Sequence, residues 1–189
     1  MRAKVLAILM VLTLASGITL ADTQRDAVAK VWVDVVANVA IGFVDNGDLG
    51  MVQTGQFGKS LLFRIDANTE TVDIFVTVSN LYKGDDATND DVAPILVDAG
   101  AGVGVAPANG HEVDGGDDWL SFTGPTEIDG FAAMMTETGR FESSQNGHFS
   151  QTVAVTPTWN QDDPEKPMGE YSGYVMVTCM VVPDATPAS

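Results

Sequence analysis

Residues 27–43 read AVAKVWVDVVANVAIGF, and every second position is apolar: Ala27, Ala29, Val31, Val33, Val35, Ala37, Val39, Ile41 and Phe43. The other register carries Val28, Lys30, Trp32, Asp34, Val36, Asn38, Ala40 and Gly42. In an extended chain, successive side chains point to opposite faces. A helix would spread this stripe around its axis, and Val is disfavoured there because its χ1 is restricted. The pattern therefore predicts a one-faced β-strand, longer than the usual strand of roughly 3 to 10 residues. Three arrangements fit it. The run can be two successive strands bent near Asn38, one long edge strand, or, in its early part, a strand donated to the sheet of another subunit. The last arrangement explains why so apolar an edge is kept, since edges are normally blunted.

The stretch before the stripe predicts a secretory signal peptide over residues 1–21. Arg2 and Lys4 form a short basic start, Val5 to Leu20 is largely apolar, and Thr19-Leu20-Ala21 places small residues where a signal peptidase reads. Asp22, not Cys, stands directly after the expected cut, so a lipoprotein anchor is not expected. The expected location is extracellular, on the cell surface or in the periplasm, with no membrane insertion after cleavage. Residues 22–183 then suit a single domain with its own core, and 184–189 a frayed tail. Cleavage removes two bases and no acid, taking the net charge from −17 to −19. Such a surface repels nucleic acid and anionic membranes and attracts cations. The single cysteine, Cys179, lies in an apolar run and excludes an internal disulfide.

Strand signals recur along the rest of the chain. Ser60 to Asp66 reads as a short strand. Thr71 to Ser79 places Val72, Ile74, Val76 and Val78 on one face. Pro94 to Asp98, a strand at Gly102 to Ala106, Trp119 to Phe122 and Glu127 to Thr136 follow. Phe149 to Trp159 carries Phe149, Val153, Val155, Pro157 and Trp159 on one face, and Tyr171 to Val182 closes the chain with Tyr171, Val175, Val177, Cys179 and Val181 in register. Many short strands with closely spaced turns predict an all-β fold, an antiparallel immunoglobulin-like sandwich.

No catalytic constellation emerges. There are two histidines, His111 and His148, each in a polar stretch beside Gly. No G-x-S-x-G, H-E-x-x-H or phosphate-binding glycine loop is present. An enzyme is not expected, and neither is a resident cofactor. Clustered acids do offer hard oxygen ligands for calcium, most densely at Asp85, Asp86, Asn89, Asp90 and Asp91, although the spacing does not match the D-x-[DN]-x-[DN]-G loop. A solvated, turn-forming loop accounts for the same residues. Trp32, Trp119 and Trp159 read as core or sheet-face packing, with a sugar platform as the alternative.

The ending Gly169-Glu170-Tyr171-Ser172-Gly173-Tyr174-Val175-Met176-Val177-Thr178 resembles the G-x-Y-S-G-x-V-x-V-T closing strand of spore-coat-U-like and pilus-subunit-like bacterial surface proteins. Ile41-Gly42-Phe43 and Phe63-Arg64-Ile65-Asp66-Ala67-Asn68 are similar in layout. The cysteine pair common in those families is missing. The resemblance implies an exported immunoglobulin-like sandwich that assembles into fibres. The leading expectation is a structural subunit of a pilus or filament, with self-association or other surface proteins as partners. Val31, Val33, Val35 and Ala37 would donate, and Tyr171, Val175 and Val177 would wall the acceptor groove. A monomeric calcium- or carbohydrate-binding module is the alternative.

Overall fold

Among the described residues the short-period patterning becomes strands. A computed structural model describes residues 37–182 except 46, 90, 113–121 and 137–138, and no helix occurs among the described residues. In chain order the strands are β1 (Val39–Phe43), β2 (Gly55–Gly58), β3 (Leu61–Ala67), β4 (Thr71–Ser79), β5 (Tyr82–Lys83), β6 (Leu96–Val97) and β7 (Val103–Pro107). Then come β8 (Gly110–Glu112), β9 (Phe122–Ile128), β10 (Phe131–Thr136), β11 (Gly139–Ser143), β12 (Phe149–Gln161), β13 (Tyr171–Ser172) and β14 (Val175–Val181). All recorded pairings are antiparallel.

Two six-stranded sheets share one core. The first is organised around β12, whose inward residues alternate without a break from Phe149 to Gln161. One edge of β12 pairs with β3 and then β2, and its other edge takes β7 and β6. Pro157 sits inside this central strand, where a missing N–H would ordinarily break a ladder. The β3 ladder ends at Val155 and the β2 ladder starts at Thr158, so Pro157 falls in the gap between them. The second sheet is organised around β4. Val72, Ile74, Val76 and Val78 are at most 2% exposed, and burying each contributes about 1.5–3 kcal/mol. β14 runs along one edge of β4, while β11 and β10 divide the other, with β8 and β9 outside them.

Several sequence expectations change here. Glu127 to Thr136 is not one strand. Asp129 and Gly130 both take positive φ, 52° and 83°, and turn the chain into the β9–β10 hairpin. That pair of angles matches the two-residue turn that Asp-Gly favours. Gly139-Arg140-Phe141-Glu142-Ser143, without an apolar alternation of its own, forms β11 by pairing with β4, and Gly110–Glu112 forms β8 beside it. The closing stretch is also two strands. Gly173 and Tyr174 interrupt it, because the backbone there packs against the end of β4. A Cβ on Gly173 would lie 2.5 Å from both the Asn80 carbonyl oxygen and the Ser79 Oγ. The expected strand at Trp119 to Phe122 lies largely outside the described residues, as do the expected signal peptide, the stripe up to Val36 and the tail from 183.

Candidate functional site: an open flank between two strand edges

Among the described residues, β1 and β14 end the two sheets on the same flank. β1 pairs with β3 so that Val39, Ile41 and Phe43 stand opposite Ala67, Ile65 and Phe63, which belong to the core. Opposite residues of a ladder share a face. Ile41 and Phe43 therefore face inward, yet they are 38% and 50% exposed. β14 shows the same mismatch. Val175, Val177, Cys179 and Val181 pair with Val78, Val76, Ile74 and Val72. The β4 partners are sealed, whereas Val175, Val177 and Val181 are only half-buried. Among the described residues, β14 pairs with β4 alone, which leaves its outer backbone edge without a ladder. An apolar row beside an open edge is where a further strand would sit.

Where β1 ends and β14 begins, this flank opens into a cleft of about 1530 Å³. Phe43, Leu61, Phe63, Trp159 and Val175 line its base, and the 47–54 and 164–173 segments form its walls. Phe43 and Phe63 lie with ring centroids 5.2 Å apart. Trp159 stacks on Phe57 at 6.1 Å, and its indole N–H donates to the Ser79 carbonyl at 2.9 Å. The walls are tied together by polar contacts. The Gln161 amide donates to the Gln53 and Asp163 carbonyls at 3.1 and 2.6 Å. Lys166 Nζ donates to the Ala93 carbonyl at 3.0 Å, and the Tyr171 hydroxyl to that of Pro167 at 2.9 Å. Partial burial pushes the Tyr171 phenol above its ordinary range, with the Asp163 charge adding to the effect.

Ser79 holds the start of β14 in place. Its Oγ accepts from the Tyr174 N–H at 2.7 Å and donates to the Asn80 carbonyl at 2.9 Å, and its own N–H donates to the Tyr174 carbonyl at 2.9 Å. The Tyr174 ring meets Phe131 edge-on at 4.9 Å. At the other end of the flank, Asn38 and Asn68 exchange two hydrogen bonds, Asn38 N–H to Asn68 Oδ1 at 2.6 Å and Asn68 N–H to the Asn38 carbonyl at 3.2 Å. This clamp fixes the entry into β1.

The residues singled out as an interface divide as follows. Tyr171 and Val175 line the cleft, Val177 follows inward along β14, and Ala37 is exposed just before β1. Val31, Val33 and Val35 lie outside the described residues. Leu49 and Phe57, partly buried against the core near the cleft, carried no periodic signal.

The acidic loop is organised by its own turns. Asp85 takes φ 58° and accepts from the Ser172 hydroxyl at 3.0 Å. Asp86 accepts from the Thr88 hydroxyl at 2.7 Å and its N–H at 2.9 Å, which holds its carboxyl below the usual range. Asn89 Oδ1 accepts from the Asp91 N–H at 3.0 Å, and Asp90 lies outside the described residues. Among the described residues no group of three or more His, Cys, Asp or Glu is placed to hold a metal ion. Trp159 is 2% exposed, so it belongs to the core and offers no face to a sugar, while Trp32 and Trp119 are outside the described residues. His111 and His148 are exposed. Burial pushes the Cys179 thiol up to about 12, and nearby Asp73 adds to it.

Comparison with family models, with characterised proteins and with solved structures returned no match.

Proposed function

We propose that this protein is a secreted, non-enzymatic surface subunit with an immunoglobulin-like sandwich that assembles head to tail by β-strand complementation. The observation that carries the reading is the flank between β1 and β14, where inward-facing Ile41, Phe43, Val175 and Val177 stay partly exposed beside a backbone edge that has no ladder among the described residues. Residues 27–37 have the chemistry to fill it. Their backbone supplies donors and acceptors for the β14 edge, and Val31, Val33 and Val35 supply small apolar side chains for the row behind it. The occupant is assigned to a second copy, because Asn38 is clamped to Asn68 at the turn between β3 and β4, where the chain enters β1. Head-to-tail pairing of this kind does not close on itself and builds a filament. The fimbrial-like layout of the closing strand supports the same reading.

The test is Val31→Asp plus Val35→Asp in the chain from Asp22. Sedimentable filaments should vanish while a folded monomer remains, because a carboxylate in the apolar row is costly to bury. Filaments that persist in the double variant would sink the donor role.

A further inference from the structure

A stripe of near-identical valines settles which face of the donor strand turns inward, but it leaves the register open. A slip of two residues keeps the same face inward and exchanges Val for Val. Something outside the stripe has to select one pairing. The other register of residues 27–37 carries Lys30, Trp32 and Asp34, so a strand that turns Val31 and Val33 inward turns Trp32 outward. The outer face of β14 is apolar at two places. Met176 and Met180 are 44% and 54% exposed, with the smaller Thr178 between them. Behind Thr178, on β4, stands Phe75.

We infer that Trp32 of one copy packs over Thr178 of the next, between Met176 and Met180, and that this contact sets the register of assembly. It rests on the strand-complementation reading above. A strand added to the β14 edge lies about 4.8 Å away. Opposite residues are then in contact, and an aromatic side chain also reaches both diagonal neighbours. An indole opposite Thr178 meets one thioether on each diagonal, a pairing that sulfur and aromatic edges favour. The inward row fits at the same time. With Trp32 opposite Thr178, the residues Ala29, Val31, Val33 and Val35 fall opposite Val175, Val177, Cys179 and Val181, whichever way the strand runs. A slip of two residues either way instead places Lys30 or Asp34 between the methionines and removes the indole from one of them.

The critical concentration for sedimentable assembly of the chain from Asp22 tests this. Trp32→Ala should raise it about tenfold, and Met176→Ala plus Met180→Ala should do the same. Combining all three should raise it little further, because the partners of one contact are not additive. Both methionines are exposed, so the monomer should melt within about 2 °C of wild type. A short bis-maleimide should also join Trp32→Cys on one copy to Thr178→Cys on another, both in a Cys179→Ser background, and Lys30→Cys should link less. If the Trp32 and Met variants assemble like wild type while Val31→Asp plus Val35→Asp abolishes assembly, Trp32 lies elsewhere and the complementation reading stands. Effects that simply multiply overturn the Trp–Met contact in the same way. If the Val double variant still assembles, or the wild type never sediments, both fail.

Discussion

Gly173→Ala should destabilise the fold by about 2 kcal/mol, although the substitution adds a single methyl. Gly173 has no left-handed φ, so an alanine backbone is permitted, and the loss of chain entropy in the unfolded state alone would favour Ala by roughly 0.4–1 kcal/mol. The space around it reverses that sign. The new Cβ would stand 2.5 Å from the Asn80 carbonyl oxygen, 2.5 Å from Ser79 Oγ and 3.0 Å from Leu81 Cδ2. Ordinary carbon contacts lie near about 3.5–4.0 Å, so the chain must retreat by about 1 Å. That displacement breaks the two hydrogen bonds between Ser79 and Tyr174, each contributing about 0.5–1.5 kcal/mol, and leaves Ser79, which is fully buried, short of partners. Urea denaturation and thermal melting read the result. A midpoint about 4–8 °C lower is expected for a domain of this size. Gly104→Ala is the matched control. Its nearest neighbour is Thr156 Cβ at 3.7 Å, an ordinary contact, so it should change stability by less than about 0.5 kcal/mol. The same melting temperature for Gly173→Ala and Gly104→Ala would refute steric exclusion as the reason for glycine at 173.

The remaining expectations concern charge, burial and turns. Cys179 holds its proton more tightly folded than unfolded, so stability should be intact below pH about 9 and fall as pH rises toward 12; Cys179→Ala should lose that alkaline slope, and the native thiol should resist alkylation at pH 8. Asp66, held low by the Arg64 guanidinium, and Asp86, held low by Thr88, act in the opposite sense. Their contribution is present above the ordinary carboxyl value of 3.8 and is lost as pH falls through the folded-state value, which carboxyl NMR titration would show as below-normal midpoints for both. Arg140→Ala removes the bidentate contact to Asp73, at 2.8 and 3.1 Å on the outer sheet face, and should cost no more than about 1 kcal/mol, shrinking with added salt in urea melts. Gly130→Ala, at φ 83°, should cost about 1 kcal/mol by forcing an L side chain into the left-handed region.

What the chain decides locally is which face each strand turns inward. Val72 to Val76 and Phe149 to Trp159 alternate in sequence and are buried in that alternation, because a period of two leaves an extended chain no other way to sort its side chains, whereas Thr77 is buried on the opposite face as well. Asp129-Gly130 falls inside the one strand expected from Glu127 to Thr136, although Asp-Gly favours a two-residue turn and two positive φ angles in a row suit few other residue pairs. Neighbours are a different matter. Nothing in Gly139-Arg140-Phe141-Glu142-Ser143 announces a strand; it becomes one because β4 offers it an edge. Gly173 breaks the closing strand only because Ser79 and Asn80, over ninety residues earlier, come within reach of it. The open flank is of this kind as well. In the sequence Ile41 and Phe43 read as part of the apolar stripe and Val175 and Val177 as a groove wall, and the partial exposure of all four follows from which strands pair and which edges are left over. Alternation is written residue by residue. The inventory of free edges exists only once both sheets have formed around one core.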